Sequence, residues 1–130
     1  MMLAAWLLAA ALATPGAASP APDLTAQAKV LMRAGPASQP QARALFEQAA
    51  EQEHIVAQYS LAKLYLSDDV EVRDIRQGMN WLYTAAVNGS SYAMYRLAKE
   101  LLKGDLIKRN SDAAVEWFTR SAERGNHYAQ

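Results

Sequence analysis

Shifting the chain by 36 residues lays it over itself. Ala57-Gln58-Tyr59-Ser60-Leu61-Ala62-Lys63 lands on Ala93-Met94-Tyr95-Arg96-Leu97-Ala98-Lys99, and Ala49-Ala50 lands on Ala85-Ala86 and then on Ser121-Ala122. The same shift carries Leu45-Phe46 to Trp81-Leu82 and on to Trp117-Phe118, Gly89 to Gly125, and Tyr92 to Tyr128. Residues 41–76 and 77–112 are identical at 11 of 36 ungapped positions, several times what this composition gives by chance. A period of this length constrains the fold more than any single residue does. Such a unit is too small to bury its own apolar face and must stack on its neighbours.

Within a unit, Ala57, Leu61, Leu64 and Tyr65 recur at helical spacing, and so do Trp81, Leu82, Ala85 and Ala86. Each unit therefore reads as two helices, whose small alanines permit close approach. The spacing predicts helices near 24–34, 39–53, 55–67, 75–88, 91–103 and 112–124, with a seventh starting at 126. Gly89 and Gly125 fall where a left-handed C-cap would end the second helix of a unit. Asp74, and either Asn110 or Ser111, are the expected N-caps. The Gly35-Pro36-Ala37-Ser38 loop is about three residues shorter than its counterparts, as suits a divergent end unit. The expected fold is all-α, a right-handed α-solenoid of antiparallel helix pairs. Residues 19–40 read as a linker and divergent first helix, and residues 41–130 as the repeats.

The leader is a separate matter. Residues 1–22 contain no charged side chain, and Met1 to Ala13 is an unbroken apolar run. At a helical rise it spans roughly 20 Å, short of a hydrocarbon core of ~30 Å. Thr14-Pro15-Gly16 and a run of small residues follow, which predicts a secretory signal peptide over residues 1–18, cut after Ala18. The alternative is an uncleaved anchor, since the leader has no Lys or Arg before its apolar run. Either way the expected location is periplasmic or secreted.

Several chemistries have little to stand on. Lys+Arg and Asp+Glu balance at 13 each, with −2 over residues 23–76 and +2 over 77–130, so the footprint of a nucleic-acid binder is missing. Without cysteine there is no disulfide, thiolate metal site or Cys nucleophile. Ser60-Leu61-Ala62-Lys63 fits S-x-x-K, yet no S-D-N or K-T-G accompanies it and the next unit places Arg96 where Ser60 stands. His54 and His127 lack metal-ligand spacing and fall in turns, and Glu47, Glu51 and Glu53 read as a hydrated helix face. No catalytic residue, metal site or cofactor is expected. Trp81, Trp117, Phe118, Tyr65 and Tyr59 recur with the repeat and are assigned to packing.

The recurring A-x-x-x-L-A-x-x-Y, followed by Gly104, Asp112, Ala114, Trp117-Phe118, Ala122 and Gly125-Asn126, resembles the Sel1-like repeat family over residues 41–130. It departs at Ala62 and Ala98, where the family has Gly, and at Asp68, where it has the loop Gly. The resemblance implies a non-enzymatic interaction scaffold or adaptor of the bacterial envelope. A cysteine-rich branch linked to penicillin binding is not implied for a chain without cysteine. In helical solenoids the first helices line the concave surface, which makes Gln58, Lys63, Met94, Tyr95, Arg96 and Lys99 the expected contacts for a protein or peptide partner. Two other readings remain open, an inhibitory or immunity-type regulator of one enzyme or sensor, and a β-lactam- or peptidoglycan-active enzyme using Ser60. Counted from residue 41, a third unit would run from 113 to 148, past Gln130. That count predicts an incomplete last repeat whose Trp117 and Phe118 face self-associates or docks on another chain.

Overall fold

Apolar residues spaced three and four apart form helices in this chain because tertiary packing along one stripe outweighs weak local preferences. The computed structural model describes residues 19–68 and 72–125. The expected signal peptide, the seventh helix from 126 and His127 lie outside the described residues. Among the described residues six α-helices follow in order: α1 Ala21–Ala34, α2 Gln39–Glu51, α3 Ile55–Tyr65, α4 Ile75–Val87, α5 Ser91–Lys103 and α6 Ser111–Glu123. A 3₁₀ turn, Pro36–Ser38, fills the short first loop. No strand occurs among the described residues.

The helices pair as α1 with α2, α3 with α4 and α5 with α6, each pair stacking on the next through α2–α3 and α4–α5. Two apolar clusters result. One joins α1, α2 and α3 through Leu24, Phe46 and Leu61; the other joins α3, α4 and α5 through Ala62, Leu82 and Leu97. Trp81 packs against both and ties them together. Leu61 and Leu82 are fully buried, each contributing about 1.5–3 kcal/mol. Ala49, Ala85, Ala57 and Ala93 are buried completely, so their methyl groups set how near the helices come.

Backbone hydrogen bonds repeat with the sequence. Asp74 N donates to Tyr65 O at 2.8 Å, and 36 residues later Asn110 N donates to Leu101 O at 2.8 Å. His54 N donates to Ala49 O, and Ser90 N to Ala85 O. The expected caps form: Asp74 Oδ1 accepts from Gln77 N at 3.1 Å and Asn110 Oδ1 from Ala113 N at 3.0 Å. Ser90 Oγ caps α5 in the same way, accepting from Ala93 N at 3.1 Å. Gly89 and Gly125 take φ values of +107° and +90°, the left-handed turn that the repeat demands after each second helix. Helix α2 ends at Glu51, two residues before the expected end, because the chain turns left-handed at Glu53.

Candidate functional site

Taken together, the first helices of the pairs are basic and the second helices acidic. Helices α1, α3 and α5 carry six basic and two acidic residues, whereas α2, α4 and α6 carry three basic and five acidic. Of the two acids, Glu100 is only 3% exposed and holds Arg96, Nε to Oε2 at 3.0 Å. Asp23 lies in the first turn of α1, away from the rest. The zero net charge of the chain therefore hides a positive face along the first helices. Dividing the chain into N- and C-terminal halves mixes first and second helices and cancels this difference.

Two grooves cross that face. One, of about 430 Å³, runs between α1 and α3 past Met32, Arg33, Gln39 and Leu64. The other, of about 420 Å³, runs between α3 and the start of α5 past Val56, Tyr59 and Tyr92. Lys29, Ser60 and Lys63 line both, so the grooves meet there. Tyr59 stacks on Tyr92 with ring centroids 6.3 Å apart, and Lys63 Nζ lies 4.9 Å from the Tyr59 centroid. Partial desolvation, then the charges of Lys29 and Arg96, hold the Lys63 ammonium below its ordinary pKa. Burial raises the Tyr59 phenol, against the pull of Arg96.

The expected contact residues divide. Lys63 and Lys99 are exposed, and Tyr95 and Arg96 are half-buried. Lys99 Nζ sits 5.4 Å over the Tyr95 ring, and Phe118 meets the same ring edge-on at 5.6 Å. Gln58 and Met94, however, are buried at 2% and 5% exposure and do not face a partner. Both stand three residues before the core leucines Leu61 and Leu97, one helical turn back on the same stripe. Gln58 Nε2 donates to Ala50 O at 3.2 Å and its Oε1 accepts from Asn88 Nδ2 at 3.0 Å, so the amide joins α2, α3 and the end of α4. Sequence reasoning missed Lys29 and Arg33, four residues apart on α1, and Tyr92 at the start of α5. Counting charge by helix position within the repeat would have found the first two.

The other chemistries look different in three dimensions. The Lys63 ammonium lies over Tyr59, and no hydrogen bond links it to Ser60 among the described residues. An activated serine needs a base within hydrogen-bond reach, and this pair does not supply one. Glu47 is half-buried rather than a hydrated surface acid, and it accepts a hydrogen bond from the Tyr65 hydroxyl. Among the described residues no three His, Asp or Glu side chains converge as metal ligands, and no helix is long and apolar enough to cross a membrane.

A Sel1 repeat profile matches residues 33–54, 55–90 and 91–126. The chain belongs to the Sel1 repeat family. Its units begin at Ile55 and Ser91, each one first helix followed by one second helix. Residues 91–126 thus match as a whole unit, where counting from 41 had split the pairs and left a third unit cut short. Trp117 and Phe118 lie inside that unit, half-buried, with Trp117 edge-on to Tyr83 at 6.0 Å. A Sel1 repeat protein from Oxalobacter formigenes is similar in structure, with a TM-score of 0.79 at 21% identity over 89% of this chain and 49% of that one. So is a protective antigen present in uropathogenic Escherichia coli strains displaying an SLR fold, with a TM-score of 0.72 at 27% identity over 84% of this chain and 24% of that one. The chain therefore spans about half and a quarter of the lengths of these two Sel1 repeat structures. No curated protein matches it. Sel1 repeat proteins are generally protein–protein interaction scaffolds and generally non-catalytic.

Proposed function

We propose that this Sel1 repeat protein is a non-catalytic scaffold or adaptor of the bacterial envelope, binding a partner protein on the face formed by α1, α3 and α5. The observation that carries this reading is the pair of grooves that meet at Lys29, Ser60 and Lys63 and together span all three first helices. Exposed apolar side chains in the same place, Val56 at 47% and Tyr92 at 58%, would gain from being covered. The envelope location rests on the leader, whose expected cut after Ala18 would leave every described helix intact. Ser19 already belongs to the folded unit, since its carbonyl accepts from Gln52 Nε2 at 2.9 Å.

A photo-crosslinking amino acid placed at Ser60 tests the face. In intact cells it is expected to trap a defined protein species, whereas the same group at Val115, exposed on α6, traps none. Equal trapping from both positions, or from Val115 alone, would remove the first-helix face from consideration. A band at twice the mass of the chain would mean that the partner is a second copy. Intact mass of the envelope fraction tests the location: a chain starting at Ser19 is expected, and full-length protein confined to the cytoplasm overturns it.

A further inference from the structure

We propose that the two grooves form one track for an extended acidic segment of the partner protein, its carboxylates beside Lys29 and Lys63 and its intervening apolar side chains over Met32, Val56 and Tyr92. This deepens the reading of the first-helix face as the docking surface and rests on it. The charges carry the argument. Lys29, Arg33 and Lys63 make no ion pair among the described residues, although they line contiguous grooves. Like charges gathered without a counter-charge repel, and a carboxylate set between them removes that repulsion. The lowered pKa of Lys63 comes first from partial desolvation and then from the charges of Lys29 and Arg96.

The groove walls decide between classes of anion. A nucleic acid or a polyuronate would match the lysines but would leave Met32, Val56 and Tyr92 against charged or hydroxylated groups. A peptide whose acidic and apolar residues alternate satisfies both kinds of wall, because an extended chain sends successive side chains to opposite sides.

The test is selection of a random dodecapeptide library on the immobilised full chain and, in parallel, on its K29E/K63E form. Both lysines are exposed, and matching circular dichroism melts would establish that the double variant is folded. Peptides retained by the wild type are expected to be rich in Asp and Glu interleaved with apolar residues. Their affinity should fall about tenfold or more in K29E/K63E, and less in the neutral K29Q/K63Q form. Raising the salt concentration should weaken them in the wild type. Retained peptides with no acidic enrichment, peptides that bind K29E/K63E equally well, or no retained peptides at all would each overturn the proposal. So would displacement of the peptides by polygalacturonate at lower concentration than by their own soluble forms. If the protein trapped at Ser60 is trapped equally in K29E/K63E, the docking face stands and the acidic partner falls.

Discussion

Residue identity matters most here where one position departs from its repeat equivalents. Glu53 occupies the turn that Gly89 and Gly125 occupy one and two units later, and it adopts φ +62° where they adopt +107° and +90°. A side chain in that left-handed region costs roughly 1–2 kcal/mol, partly offset by the extra freedom glycine has when unfolded. Glu53→Gly is therefore expected to stabilise the protein by about 0.5–1 kcal/mol, seen as a higher midpoint in urea melts. Tyr65 is a second such case. Desolvation and its hydrogen bond to Glu47 raise the phenol pKa above the ordinary 10.0. An acid whose folded pKa is raised stabilises the native state below its unfolded pKa and loses that contribution as pH climbs past it. Tyr65→Phe should thus cost about 1 kcal/mol at pH 7, and the gap to wild type should narrow above pH 10 in chemical melts. Repeat comparison marks Glu53 in the sequence. Tyr65's partner is invisible there, because Glu47 lies 18 residues away on the facing helix.

Between elements, close approach and one polar bridge hold the pairs in register. A Cβ built on Gly78 of α4 would lie 2.6 Å from Leu66 Cγ and Cδ2 and 3.2 Å from Tyr65 Cβ. Gly78→Ala should therefore push α4 away from the end of α3 and cost about 1–3 kcal/mol, although alanine favours helix. A gain in stability on thermal melting would contradict this packing. Gln58 is the polar bridge. Gln58→Ala leaves a cavity and removes the buried donor to Ala50 O, an expected loss of about 2–3 kcal/mol. Gln58→Met, which copies the repeat's own choice at Met94, fills the space and should lose about half as much. Helix ends and caps were readable from Asp74, Asn110 and the glycines. The buried positions of Gln58 and Met94 were not, since a polar residue and a flexible apolar one at the same register look like surface variation in sequence.

At the scale of the molecule, each pair leans only on its neighbours, so a local loss should stay local. Removing the α6 cap with Asn110→Ala is expected to cost about 1 kcal/mol. Amide exchange should quicken in α6 and α5 and remain unchanged in α1 and α2. Uniform quickening along the chain would show one cooperative unit instead. The same linear architecture explains the charged face. Stacking places like positions of successive units side by side, so cations on α1, α3 and α5 add, while the acids of the second helices lie on α2 and α6.

By itself the sequence determined the period, the helix pairs, most caps and the family, because all of these depend on residues near one another or on copies of one unit. The phase of the unit needed the helix pairing, since any starting point in a 36-residue period looks alike along the chain. The meeting of Lys29 with Lys63, the stacking of Tyr59 on Tyr92 and the burial of Gln58 needed the tertiary structure. Each depends on how one helix pair is rotated against the next, and that rotation is set by alanine contacts whose geometry no local pattern encodes.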